Sequence, residues 1–328
     1  MDSQGKDGRT ARRQKREKVL RITLLLAVIE ALLLIILLGT VIAARSGGDE
    51  DESKGKHDES GGETESGEIN QYAGYTVTAV PSSKKASGIL MLVNSSYVYD
   101  FSENNPELVE FGSVRKSVNG TTPYQLSLSN IKMEKTAIAA MDTMLCDFYR
   151  TTGNKYVLVS SAYRTKAEQD ATGSSIKGGY SDSHTGYSAA LKVYQDGKTL
   201  DLRGGDYEWI YENAWKYGFV VRYPAEKVTQ TGVSDYTYYF RYVGVAAAYY
   251  MDQNGLCLEE FLDLVHRYTF QGEHLIFTAK DRDGNDVTHE FYYVPAGNGT
   301  TTEVPVPSDR AYEISGDNAG GFIVMTTK

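Results

Sequence analysis

The side chains of this chain that could do chemistry crowd into the stretch from Ser161 to Gly244. Tyr163 and Arg164 close an apolar run, Gln169 follows, and Ser181-Asp182-Ser183-His184 adds hydroxyls, a carboxylate and an imidazole in one short segment. A guanidinium has the planar fork that grips a carboxylate bidentately, which makes Arg164 a candidate anion clamp. Asp182 and His184 offer two metal donors, but a catalytic zinc needs about three and an open position for water. The pair therefore reads first as a solvated loop pair, with weak metal binding as the alternative. The remaining histidines, His57, His266, His274 and His289, form no His-x3-His pair, and Cys146 and Cys257 have no ligand spacing. Cys146 reads as a small buried hydrophobe, and a disulfide between the two is left open. Nowhere do nucleophile, base and orienting group line up, so no catalytic residue is assigned.

Order and spacing carry more than any single residue. Ser161-Ala-Tyr-Arg164-Thr-Lys-Ala-Glu-Gln169 precedes Ser181-Asp-Ser-His-Thr-Gly186, then Asn213-Ala-Trp-Lys-Tyr-Gly-Phe-Val-Val-Arg-Tyr-Pro224, then Phe240-Arg-Tyr-Val-Gly244. Together with Leu92-Val-Asn94, these blocks resemble the VanY-like D-alanyl-D-alanine carboxypeptidases of peptidase family M15. The resemblance covers about 88–268. In that family the second block reads Ser-x-His-x-x-Gly-x-Ala-x-Asp, and Glu-x-Trp-His precedes the last one. Two His and one Asp hold zinc there, and the Glu is the general base. Here those columns hold Ser183, Ala190, Tyr236 and Tyr239.

Alanine cannot ligate, Ser and Tyr hydroxyls are not usual ligands of a catalytic zinc, and a phenol of pKa about 10 cannot replace a carboxylate base. Sliding the block by one residue to recruit His184 puts Leu191 where Asp should stand. No cofactor is expected, and the family zinc is expected to be absent. The resemblance implies that Arg164 and Gln169 lie beside the lost metal, with Ser181 able to bond a peptide carboxylate. Tyr163, Arg164, Gln169 and Ser181 form the expected substrate-binding set. Trp215, Gly218 and Arg222 match structural positions of the frame. Tyr236, Tyr238 and Tyr239 either stack on a ligand or plug an emptied cavity.

Several elements must position these residues. Gly88–Asn94 reads as a buried strand. Lys132–Tyr149 carries Ile138, Met141, Leu145 and Phe148 on one helical face, with Gly153 as a stop. Tyr156–Ser161 is a strand that delivers Tyr163 and Arg164 at its end. Tyr207–Tyr217 is a helix ending at Gly218, Phe219–Tyr223 a strand and Leu258–Tyr268 a helix. Helices and strands mix without strict alternation, which favours an α+β fold. From 271 on, Leu275–Ala279, the Asp283-Gly284-Asn285 turn and His289–Val294 make a β-hairpin. Gly320–Thr326 adds a strand to this small C-terminal β appendage.

The N-terminal quarter of the chain speaks to compartment. Residues 1–21 are basic, and 22–44 are almost wholly apolar apart from Glu30 and two threonines, long enough to span about 30 Å of hydrocarbon. The basic flank keeps the N-terminus in the cytoplasm. The expectation is a single-pass membrane protein with its C-terminal part outside the cell. Residues 45–75 form an acidic, Ser/Gly-rich linker of disordered composition, reaching about 30 Å. A VanY-like domain over 76–270 and the β region over 271–328 complete the chain. Its 328 residues have a net charge of −9, which argues against a nucleic-acid partner. Its 25 tyrosines suit half-wet sheets or polar, extended ligands. The reading is a bacterial cell-wall protein, a pseudo-peptidase that binds peptidoglycan stem peptides. The alternatives are a regulator or scaffold that partners a cell-envelope protein, and a residual metallo-carboxypeptidase using Asp182 and His184.

Overall fold

A six-stranded sheet organises the centre of the molecule. The computed structural model describes residues 73–234, 236–281 and 284–328. The basic segment, the apolar span with Glu30, His57 and most of the acidic linker lie outside the described residues. Among those that are described, no helix is long and apolar enough to cross a membrane. The sheet runs in the order Gln125–Leu126, Val157–Ser161, Ser188–Gln195, Tyr239–Tyr242, Phe219–Val221, with Lys198–Leu200 paired to Ser188–Gln195. Only the first pair is parallel, in keeping with the α+β expectation. The Asp196-Gly197 tip of the 188–200 hairpin has φ of 52° and 74°, the left-handed pair that a two-residue hairpin turn requires.

The helix Lys135–Thr152 packs on this sheet through Ile138, Met141, Leu145 and Phe148, all buried. The Glu134 carboxylate accepts from the Thr136 and Ala137 amides at 2.8 and 3.2 Å, and Gly153 ends the helix at φ 70°. The expected start at Lys132 is corrected: Lys132–Glu134 is a short strand against Leu108–Glu110. The expected helix 207–217 is broken into a 3-10 turn Gly205–Tyr207, a helix Glu208–Asn213 and a 3-10 turn Ala214–Tyr217. There the Asn213 amide donates to the Trp209 carbonyl at 2.8 Å, competing with the backbone ladder. Gly218 closes it at φ 81°, where an added Cβ would lie 2.6 Å from the Tyr242 ring.

The segment 88–94 is buried, as expected, but it is not a strand. The carbonyls of Ile89, Met91 and Val93 are bonded by arginine side chains instead of a neighbouring strand. Arg241 donates to Ile89 O at 2.9 Å and Met91 O at 3.0 Å, and Arg222 reaches Val93 O at 3.4 Å. Both guanidinia also bond Asp182, Arg241 at 2.5 Å and Arg222 at 3.2 Å, and all three side chains are fully buried. Arg222 then forks onto Glu259 at 2.8 and 3.0 Å, and Ser188 donates its hydroxyl to the second Asp182 oxygen. Two carboxylates and two guanidinia thus balance in the interior, which is what makes their burial tolerable.

The C-terminal part forms a four-stranded sheet in the order Leu275–Lys280, Asp286–Pro295, Gly321–Thr327, Tyr312–Gly316. The expected hairpin and last strand are both in it. It is not a separate appendage: Leu275, Phe291, Ile323 and Met325 share one core with Leu90, Met251, Phe261 and Leu262, and the described residues fall in a single unit. Thr301–Pro307 returns to pair with Tyr75–Pro81. Cys146 and Cys257 are both free and buried.

Burial by itself would raise the pKa of Asp182, but Arg241 and Arg222 outweigh it and hold the carboxyl below the usual carboxylate range. Its contribution to stability is therefore complete above the unfolded-state value of about 3.9 and is lost as pH falls through the lower folded value. Asp182→Ala leaves the buried Arg241 without its acid, while Arg222 keeps Glu259, and is expected to cost about 3–5 kcal/mol in urea unfolding; a cost under about 1 kcal/mol would contradict this role.

Candidate functional site

The site is built on the end of the strand Val157–Ser161. Its register against Ser188–Gln195 shifts between Val159 and Ser161. Such a bulge bends a strand and re-aims the residues beyond it, here Ala162, Tyr163 and Arg164. Thr165 and Glu168 then form a reciprocal capping box that opens the helix Lys166–Ala171. That helix carries Gln169 inward, where it is 3 % exposed. The Gln169 amide accepts from the Arg164 guanidinium at 3.2 Å and donates to the Ile176 carbonyl at 2.8 Å. Arg164 and Tyr163 are half-buried and line a cleft of about 410 Å³ together with Lys132, Ser161 and Glu168.

The turn Asp182–Thr185 supports Arg164 from behind. Its Gly186 stop has φ 77°, and the Gly186 carbonyl accepts from the Glu134 amide at 2.8 Å. His184 is fully buried. Its Nε2 accepts from the Gly179 amide at 2.9 Å, which leaves Nδ1 as the donor to the Arg164 carbonyl at 2.7 Å. Burial pushes its pKa down, which suits this neutral ring. Asp182 and His184 are therefore not a solvated loop pair. Nor is either available to a metal in this arrangement, because both carboxylate oxygens and both ring nitrogens already have partners.

The columns that hold zinc and base in the resembled family come together in space. Ala190 and Tyr239 are direct partners across adjacent strands, and Ser183 precedes the same strand. The Tyr239 ring is buried and packs against Tyr223 with centroids 5.8 Å apart. Tyr223 meets Tyr236 at 6.3 Å, and Tyr236 meets Tyr238 at 5.7 Å. Burial and then Asp182 push the Tyr239 phenol far above its ordinary range, against smaller opposing effects of Arg164 and Ser183. Ser183 shares a 2.7 Å hydrogen bond with Ser181. The donor set is thus a methyl group, a paired hydroxyl and a neutral phenol, which does not fit a catalytic zinc. Among the described residues no group of three or more His, Cys, Asp or Glu is placed to hold a metal ion.

Of the four expected substrate-binding residues, Tyr163 and Arg164 face the cleft. Gln169 and Ser181 are buried behind them, Gln169 bonded to the Arg164 guanidinium and Ser181 to the Ser183 hydroxyl. Arg222 is structural, as expected, whereas its partner Glu259 and the second arginine on Asp182, Arg241, went unrecognised. A charged residue inside each of the apolar runs Phe219-Val-Val-Arg-Tyr223 and Tyr239-Phe-Arg-Tyr-Val243 was the available signal for the arginines. Glu259, among ordinary helix-start acids, carried none.

Comparison with known proteins matches residues 132–245 to the VanY family profile, described as D-alanyl-D-alanine carboxypeptidase. A D-alanyl-D-alanine carboxypeptidase of Enterococcus faecium is 31% identical over 243 residues, covering 72% of this chain and 74% of that protein. The putative carboxypeptidase YodJ of Bacillus subtilis is 31% identical over 122 residues, 36% of this chain and 45% of that one. Among solved structures, the vancomycin-resistance D,D-dipeptidase VanXYg in complex with a D-Ala-D-Ala phosphinate analogue superposes with a TM-score of 0.66. It is 24% identical, covering 77% of this chain and 99% of that chain, and the likeness speaks for the fold alone.

The neutral, doubly bonded His184 gives a direct test. Nitrogen-resolved NMR is expected to show its Nδ1–H tautomer at pH 6.5, with a titration midpoint below the ordinary value of about 6.5. A midpoint at or above that value would contradict the arrangement.

Proposed function

Because the chain belongs to the VanY family of D-alanyl-D-alanine carboxypeptidases, we propose that it keeps the family's engagement with cell-wall stem peptides without its zinc hydrolysis. The observation that carries this is the contrast between two halves of one site. Where zinc ligands and base stand in the family there is a packed tyrosine cluster, whereas Arg164 stays at a cleft with its guanidinium steadied by Gln169. A fork held from behind loses little freedom on binding, so its charge-assisted hydrogen bonds go into affinity. The terminal carboxylate of a stem peptide is the group such a fork takes. Tyr163 supplies a neutral wall beside it, since burial and then Glu168 raise its phenol pKa. In this reading no water is activated and no bond is cut, because the ligand and base columns of the family hold Ser183, Ala190, Tyr236 and Tyr239.

In this reading the apolar span 22–44 anchors the domain to the membrane, and the acidic linker lets it reach the wall. Protease shaving of intact cells is expected to release the region 75–328; full protection from outside would contradict that topology.

Purified protein is expected to carry no stoichiometric zinc by metal analysis and to leave D-Ala-D-Ala muropeptides uncut. By calorimetry it is expected to bind a stem pentapeptide, and Arg164→Ala is expected to weaken that binding about ten- to a hundredfold. One tightly held zinc per chain with release of D-Ala would overturn the pseudo-enzyme reading. Unchanged peptide affinity in the Arg164 variant would overturn the clamp.

A further inference from the structure

Tyr99 is a buried phenol without a partner. The residue is 3% exposed, and its ring packs against Phe101 and His184 with centroids 4.8 and 5.7 Å apart. Its hydroxyl makes no hydrogen bond among the described residues, although a buried phenol usually finds one. Burial first, then the phenols of Tyr163 and Tyr187 and the Asp100 carboxylate, raise its pKa, so the hydroxyl is neutral. Among the described residues the only fully enclosed side-chain nitrogen or oxygen that lacks a partner is Arg310 Nε. The Tyr99 oxygen is therefore not sealed in. The space it meets is a cavity of about 270 Å³, which Tyr187 also lines.

This cavity shares no lining residue with the Arg164 cleft. Three carboxylates, Glu103, Glu107 and Glu134, line it beside one ammonium, Lys84. Their commitments differ. Glu107 is paired with Lys135 at 2.9 Å, Glu134 caps the helix Lys135–Thr152, and Lys84 donates to the Glu103 backbone carbonyl at 2.9 Å. The Glu103 carboxylate has no partner among the described residues. Asn104 spends its amide N–H groups on the Ala86 and Asp100 carbonyls, which leaves its side-chain oxygen as an acceptor. An excess of negative charge thus accompanies three unused acceptors, on Tyr99, Glu103 and Asn104. With one free carboxylate the set is poor for calcium or magnesium. A primary ammonium suits it better, since it brings three donors and no acceptor and rests favourably against phenol rings. The cavity is smaller than the roughly 300 Å³ at which sites for drug-sized ligands begin, which fits a slim alkyl stem behind that head group.

We propose that this cavity is a binding site for a primary alkylammonium, carried by a free linear polyamine or by a lysine of a partner protein. Glu103 supplies the counter-charge, Tyr99 and Asn104 take the remaining N–H groups, and Tyr187 forms an aromatic wall. The site is independent of the Arg164 clamp and does not rest on it.

The test is calorimetric titration of the full-length protein with spermidine and, in a second arm, with the capped peptide acetyl-Gly-Lys-Gly-amide. Salt is held at about 0.15 M, where loose attraction to a chain of net charge −9 is screened. Pentane-1,5-diol serves as the uncharged control. One of the two amines is expected to saturate a single site that the diol does not fill. Tyr99→Phe keeps the ring and removes the hydroxyl, and is expected to weaken that binding about tenfold. Glu103→Gln, at a half-buried position with no partner to strand, is expected to weaken it by at least as much, and Arg164→Ala to leave it unchanged. Saturation by spermidine alone supports the site with a free polyamine as its ligand, and saturation by the lysine peptide alone supports it with a protein partner. Saturation by neither, or binding that both Tyr99→Phe and Glu103→Gln leave unchanged, would overturn the proposal.

Discussion

One buried carboxylate ties together several elements of the described structure. Asp182 lies between two fully buried guanidinia, and each guanidinium reaches further. Arg241 takes the carbonyls of Ile89 and Met91, while Arg222 takes the Glu259 carboxylate at the start of the helix Leu258–Val265. Two sheet strands, the 182–185 turn, the irregular 88–94 segment and a C-terminal helix are joined through a single acid. The constraint is electrostatic: Arg241 has Asp182 as its acid, and Arg222 is shared between Asp182 and Glu259, so removing a charge leaves the remaining buried charges less balanced. Because the turn is fixed, His184 is fixed, and through its bond to the Arg164 carbonyl so is the backbone that presents the clamp.

In the family pattern, ligands from the turn and two adjacent strands converge on one ion, and a metal so held contributes folding energy directly. Here Ala190, Tyr239 and Tyr223 form a small apolar cluster at the same junction. The Tyr223 and Tyr239 rings pack together there, beside the Ser181–Ser183 hydroxyl pair. The tyrosines that the sequence left undecided between plug and platform therefore divide. Tyr239 is the plug, and Tyr236 and Tyr238 stay half-exposed.

Much of the architecture was legible from periodicity and stops. Ile138, Met141, Leu145 and Phe148 marked a helix face, Gly153 its end, and the apolar run before Tyr163 the strand that delivers the site. What misled were places where side chains do the work of backbone. Gly88–Asn94 reads as a strand because it is apolar, yet its Ile89, Met91 and Val93 carbonyls are satisfied by two arginines more than a hundred residues away in sequence. Asp182 and His184 read as loop polars because hydrophilic residues in a turn are usually wet; only the partners contributed by distant strands make their burial tolerable. The C-terminal sheet reads as an appendage because its pattern changes at 271, while its inward face completes a core begun near Ile89.

The central claim is that the lost metal centre is closed and the carboxylate clamp is open. Crystals grown with a D-Ala-D-Ala stem peptide and excess zinc, with diffraction recorded across the zinc absorption edge, test both halves at once. The account predicts an uncleaved peptide with its terminal carboxylate on the Arg164 guanidinium, the Tyr239 ring seated between Ala190 and Tyr223, and no anomalous peak within bonding distance of Ser183 or Tyr239. A zinc peak coordinated there, with the terminal D-Ala missing, would contradict it.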